Sequence, residues 1–273
     1  MNKFIKNLYA CQQKNKSLLC VGLDPNMDKI RSLGLDLSTW LKSIVDAVAD
    51  KVCAFKPQIA YFSALSAEEE LMQIISYIHK NYPDVVVILD AKRGDIGTTA
   101  EQYAKEAFEK YQADAVTINP YMGHDTLQPF LDYKDKGVIV LCKTSNKGSN
   151  EFQNLQLKNG NTLFQQVAYN ATDHWNENEN VLLVVGATYP QELAEIRTIV
   201  GEMPLLIPGI GAQGGDVEAT LSSGLNQKHD RSGLIISSSR GIIYAGDKQD
   251  TFVKAAQDAC DTLNHQINDF WSI

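Results

Sequence analysis

No run of Lys or Arg interrupts this chain, whose 25 basic and 33 acidic residues give a formal charge of −8. A nucleic-acid partner needs cations spaced along a phosphate backbone, so none is expected. There is no continuous stretch of about 18 apolar residues, so no membrane helix is expected. The start, Met1-Asn2-Lys3-Phe4-Ile5-Lys6, also lacks the apolar run of a secretory signal. Five cysteines (Cys11, Cys20, Cys53, Cys142, Cys260) make an odd number with no C-x-x-C pair, and several lie in apolar runs, a pattern that points to reduced thiols in a cytoplasmic protein. The five histidines (His79, His124, His174, His229, His265) are scattered without ligand-like spacing, and no metal site is expected. No Pro/Ser/Gly-rich linker or low-complexity segment divides the chain, so residues 1–273 read as a single domain.

What is present is enough apolar side chain for a sizeable core: 44% of 273 residues are hydrophobic and 21% charged. Short β-branched runs recur at 18–23, 52–55, 85–89, 115–118, 138–141, 181–185, 205–207 and 234–236. They are nearly continuous rather than alternating, as expected for strands covered on both faces. Amphipathic segments at 37–49, 68–80, 101–111, 163–175 and 252–267 read as intervening helices, and 4–13 as an N-terminal helix. Eight β/α repeats predict a single (β/α)8 TIM barrel with an N-terminal helix, in preference to an open doubly wound sheet.

Chemistry in such a barrel collects at the carboxyl ends of the strands. Here those ends carry Asp24, Lys56, Asp90 with Lys92, Asn119, Lys143 with Ser145, and Ser239 with Arg240. A lone charge at a strand end is ordinarily a solvated loop residue, but two lysines and two acids at one mouth suggest a site. The densest cluster, Asp90-Ala91-Lys92-Arg93-Gly94-Asp95, sets two carboxylates and an ammonium within six residues, with Asp90 and Lys92 on one side of the strand by its period of two. Thr98-Thr99-Ala100-Glu101 has capping-box spacing, which predicts that the next helix begins there. A surface salt-bridge loop is the plainer alternative for this cluster.

The segment Pro208-Gly209-Ile210-Gly211-Ala212-Gln213-Gly214-Gly215-Asp216 runs from a strand into a glycine-rich turn, whose amides suit a phosphate. Gly209, Gly211 and Gly214 fit G-x-G-x-x-G, but at the seventh strand and with no acid after the next strand to hold an adenosine ribose. Arg240 could serve a 2′-phosphate, which keeps a dinucleotide reading open. Loops after strands seven and eight are a common phosphate site in barrels, so Gln213, Arg240 and the glycine amides point to a phosphate ester. The polar stretch 144–161 is either an active-site loop or a surface insertion.

These residues resemble the orotidine 5′-monophosphate decarboxylase family, in its longer bacterial form, from Asp24 to about Tyr244. The most specific element is D-x-K-x-x-D at Asp90, Lys92 and Asp95, supported by Phe55-Lys56-Pro57, Thr144-Ser145-Asn146, the 208–216 segment and Ser239-Arg240-Gly241. The resemblance implies a nucleotide substrate, no metal or cofactor, and Lys92 as proton donor beside Asp90. It further implies that Lys56 and Asp24 hold the ribose, Ser145 touches the pyrimidine, Gln213 and Arg240 bind the phosphate, and Pro208 and Gly241 belong to the substrate-binding set. A homodimer is implied too, with Asp95 and Thr99 reaching across the two-fold interface into the neighbouring site. Two other readings stand beside it: a metal-dependent sugar-phosphate decarboxylase or synthase of the same superfamily, and a non-catalytic nucleotide-binding barrel.

Overall fold

A computed structural model describes residues 1–210, 215–226 and 232–271. Eight strands form a closed barrel in sequence order: β1 Leu19–Leu23, β2 Ala54–Pro57, β3 Val86–Arg93, β4 Ala115–Ile118, β5 Gly137–Lys143, β6 Val181–Val185, β7 Leu205–Pro208 and β8 Leu234–Ser238. All neighbours pair in parallel, and β1 closes on β8 through Leu19 opposite Ile236. β1, β2, β4 and β6 are buried along their whole length, which is why the sequence shows apolar runs there and no alternation.

Five strands, β2, β3, β5, β7 and β8, end later than the apolar pattern indicates, and two of these extensions carry charged site residues. β2 starts and ends two residues later than the 52–55 run and so contains Lys56, while β3 continues through the polar Asp90-Ala91-Lys92-Arg93. Between Leu89, opposite Val116, and Arg93, opposite Ile118, the β3–β4 register slips. Three residues of β3 there face one of β4, Thr117, forming a bulge at the mouth of the barrel.

The N-terminal helix, Lys3–Asn15, covers the opposite end. Its Gln12 is fully buried, donating to the Leu234 carbonyl at 2.6 Å and accepting from the Gly233 amide at 3.0 Å. Phe4 lies where a side chain at Gly137 would stand: a Cβ there would come within 2.6 Å of the ring. Helix Phe252–Asn268 is tied to the wall by Asn264, which donates to the Lys51 carbonyl at 2.7 Å and accepts from Ser17 Oγ at 2.8 Å. All five cysteines are free and buried, and burial pushes the Cys11, Cys20 and Cys260 thiols up to about 12.

Two local expectations fail. The helix after β3 spans Gly97–Lys105 and continues as a π-helical turn, Glu106–Lys110, so it starts four residues before Glu101. No side chain caps it, and Asp95 Oδ1 instead accepts from the Ile96 amide at 2.8 Å, so Thr98 and Glu101 form no capping box. A true capping box occurs at Thr162 and Gln165, opening helix Leu163–Asp173.

Candidate active site

The site is built on the ends of neighbouring strands. Lys56 of β2 and Asp90 of β3 are both buried, and Lys56 Nζ donates to Asp90 Oδ2 at 2.9 Å. Lys92 Nζ donates to the other oxygen, Oδ1, at 2.6 Å, and Thr117 Oγ1 donates to that oxygen at 2.8 Å. Burial alone would raise the Asp90 pKa, but the Lys56 and Lys92 ammonium groups outweigh it and hold the carboxyl well below the ordinary carboxylate range. For Lys56, burial opposes the charge while Asp90 and then Asp24 favour it, leaving its pKa above the ordinary lysine value. Both ion-pair members are therefore charged at neutral pH.

Lys92 differs from Lys56 in exposure. Its side chain is 45% exposed against 9% for Lys56, so its ammonium faces the open mouth and can meet a ligand. Its backbone has φ +47°, a left-handed conformation that non-glycine residues seldom adopt. Such strain persists only where the surroundings impose it, and it clusters at working sites. Here the amides of Ala91 and Lys92 both donate to Thr117 Oγ1 at 3.0 Å.

Asp24 follows β1, beside β2 through the Gly22–Lys56 register. Ser239, after β8, donates to Asp24 Oδ2 at 2.6 Å across the barrel's closing seam. Gly22 makes that approach possible, since a Cβ there would lie 2.7 Å from Ser239 Cβ. The Tyr244 hydroxyl donates to the Asp24 carbonyl at 2.9 Å. Asp24 Oδ1 is buried with no hydrogen-bond partner among the described residues, and such an atom calls for a ligand donor.

Ser145 is half-buried against β6, and a Cβ at Gly186 would lie 2.8 Å from its backbone, so only glycine admits it. Pro208 ends β7 half-buried, and its carbonyl accepts from the Ala187 amide at 2.9 Å. Arg240 and Gly241 open the short helix Arg240–Ile243 after β8, both exposed. Gln213, with Gly211 and Gly214, lies outside the described residues.

Other charges named from the sequence do not converge here. Asp95 and Thr99 lie on the rim, Asp95 half-buried and Thr99 exposed, and among the described residues Asp95 forms no ion pair with Lys92. Within one chain Lys92 therefore has one flanking carboxylate, not two. Arg93 turns outward to Glu106, with Nε and Nη2 donating to Oε2 at 3.0 and 2.8 Å. Lys143 is fully buried, donating to Ser149 Oγ, Asn150 Oδ1 and Asn154 Oδ1 and lying 4.7 Å from the Tyr189 ring centre, so it anchors the polar stretch 144–161. Asn119 accepts from the Tyr121 amide at 3.0 Å and serves the turn.

Thr117 is the residue that reasoning from strand ends misses. Its only trace in the sequence is a hydroxyl inside the apolar run Ala115-Val116-Thr117-Ile118, and threonine is an ordinary strand former. Among the described residues no group of His, Cys, Asp and Glu side chains could hold a metal ion.

Comparison with known proteins agrees with this geometry. The family model described as orotidine 5′-phosphate decarboxylase / HUMPS family matches residues 17–255. An orotidine 5′-phosphate decarboxylase of Ralstonia pickettii is 55% identical over 272 residues, covering 98% of this chain and 99% of the relative. The structure of Leishmania donovani OMP decarboxylase superposes with a TM-score of 0.85 at 38% identity, covering 99% of each chain. Leishmania donovani UMP synthase gives 0.87 at 40% identity, with 99% of this chain spanning 57% of that longer one. With a family match that takes in every strand of the barrel and a relative alike nearly from end to end, the chain belongs to the orotidine 5′-phosphate decarboxylase family.

Proposed function

We propose that this chain converts orotidine 5′-monophosphate to uridine 5′-monophosphate and CO2, the last step of de novo UMP synthesis, using its own charged side chains and no metal or organic cofactor. The observation that carries the reading is the open Lys92 ammonium, 2.6 Å from a carboxylate that a second, buried lysine already fixes. Relatives named for this activity over nearly the full chain support it. They favour neither a metal-dependent sugar-phosphate enzyme nor a binding-only barrel.

When the bond from C6 of the pyrimidine to the carboxylate carbon breaks, the electron pair stays at C6 in an orbital that the ring cannot delocalise. A preorganised cation at that carbon is the remedy, because it is already oriented when charge develops. Lys92 supplies the cation and then the proton, becoming a neutral amine that solvent reprotonates. Asp90 keeps Lys92 charged and aimed. Lys56 keeps Asp90 in place, and with Asp24, whose Oδ1 is buried and without a partner among the described residues, it faces the ribose hydroxyls. Arg240 and Gly241, with Pro208 and Gln213, border the phosphate, and Ser145 meets the pyrimidine. Binding energy from the remote phosphate raises the rate at the ring when it is used to close a water-excluding site.

The working unit is a homodimer in which Asp95 and Thr99 enter the neighbouring site. That arrangement would give Lys92 its second flanking carboxylate. Exposed apolar side chains on the same rim support it: Ile96 is 62% exposed, Tyr121 75% and Met122 42%, and a Cβ at Gly94 would lie 3.5 Å from Met122 Cε. Residues 1–273 form one barrel domain in this reading. Five buried, unpaired thiols fit a cytoplasmic setting, and no described helix is long and apolar enough to cross a membrane.

The test is a decarboxylation assay with orotidine 5′-monophosphate in the presence of a chelator, following loss of the substrate's ultraviolet absorbance. Full activity supports the reading. Activity lost in chelator would favour the metal-dependent alternative, and tight nucleotide binding without CO2 release would favour the binding-only one.

A further inference from the structure

The β3–β4 bulge sets three residues, 90–92, against a single residue of β4, Thr117. The ladder cannot satisfy that many backbone groups through one partner, and the Thr117 hydroxyl takes over. It accepts from the Ala91 and Lys92 amides, both at 3.0 Å, and those two bonds occupy its lone pairs. Its own proton goes to Asp90 Oδ1 at 2.8 Å, the one acceptor it meets among the described residues. Thr117 as a whole is 1% exposed, so solvent has little access to its hydroxyl.

We propose that Thr117 is a positioning residue for decarboxylation: its single hydroxyl locks the Asp90 carboxylate and the left-handed Lys92 backbone into one unit, fixing where the Lys92 ammonium sits.

Two movements are prevented together. Asp90 Oδ1 receives both the Lys92 ammonium and the Thr117 hydroxyl, so the carboxylate cannot rotate to follow a wandering lysine. Lys92 at φ +47° would relax toward ordinary strand geometry, carrying its side chain with it, unless its amide were held. Thr117 touches no reacting atom in this account. Its effect falls on kcat, because a small misplacement of a catalytic group matters in the transition state, while ribose and phosphate contacts lie elsewhere. The inference rests on the assignment of Lys92 and Asp90 to the chemistry.

The experiment measures kcat, KM and the Kd for uridine 5′-monophosphate in Thr117→Val, Thr117→Ser and Thr117→Cys, with Lys92→Ala alongside. Thr117→Val keeps the shape without the hydroxyl, and kcat should fall about a hundredfold while product binding stays within about threefold. Thr117→Ser should recover to within about tenfold of the wild type, and Thr117→Cys, of similar size but a weak donor and acceptor, should resemble valine. If Thr117→Val does not fold, the serine and cysteine variants decide by the same comparison. Wild-type kcat in the valine or cysteine variant would overturn the proposal, as would a serine variant no better than cysteine, or a kcat loss matched by an equal loss of product binding. If Lys92→Ala itself turned over normally, the underlying assignment would fail; a dead Lys92→Ala beside a normal Thr117→Val sinks the Thr117 proposal alone.

Discussion

Lys56 and Asp90 form a buried ion pair, Nζ to Oδ2 at 2.9 Å, on adjacent strands at the barrel mouth. Removing Lys56 takes away the buried partner of Asp90 and leaves its charge compensated only by the more exposed Lys92, which costs more than the intact pair contributes. Lys56→Met should therefore destabilise the fold by about 3 kcal/mol, read by chemical denaturation at neutral pH. The loss should shrink in the double variant Lys56→Met/Asp90→Leu, which leaves only the half-exposed Lys92 without its carboxylate and no buried charge unpaired.

The same pair sets the pH limits of stability. Asp90 has a folded-state pKa below its unfolded one, so its contribution is full above the ordinary aspartate value of about 4 and fades as pH falls beneath it. Lys56 has a raised folded-state pKa, so its contribution is full below the ordinary lysine value of about 10.4 and fades as pH rises beyond it. Denaturation midpoints should thus fall away at both extremes, and Asp90→Asn should flatten the acid limb.

Asp24 holds Ser239 with one oxygen and leaves the other buried without a partner among the described residues. Asp24→Ala should raise KM and the product Kd by about tenfold or more, since hydrogen bonds to a charged group contribute about 1.5–3 kcal/mol. Unchanged product affinity would remove Asp24 from the ribose site.

The proposed homodimer, with Asp95 entering the neighbouring site, has a functional signature. Lys92→Ala and Asp95→Ala homodimers should each be nearly inactive, yet unfolding and refolding them together should restore about a quarter of wild-type activity, because half the random pairs hold one complete site. No recovery on mixing would mean that Asp95 serves its own chain or no site at all.

The barrel was legible because parallel strands buried on both faces leave unbroken apolar runs, and the site because charges follow several of those runs. The D-x-K-x-x-D pattern marked Asp90 and Lys92, which the fold does bring together. What escaped was geometry that residue type does not encode. The polar tail of β3 does not read as strand, so the bulge was invisible and Thr117 passed for an ordinary strand threonine. Lys143 and Arg93 look like mouth charges in sequence, but tertiary partners in the 144–161 stretch and at Glu106 draw them away. The apparent capping box at Thr98 failed because the helix begins at Gly97, whose φ of +52° turns the chain sooner than the Thr-x-x-Glu spacing suggests.

Turnover of orotidine 5′-monophosphate by Lys92→Ala tests the central claim most directly. That variant should lose on the order of 10⁴-fold or more in kcat, as expected when one group serves both as the charge-stabilising cation and as the proton donor, while still binding uridine 5′-monophosphate measurably. Near-wild-type turnover in the same variant would contradict the account.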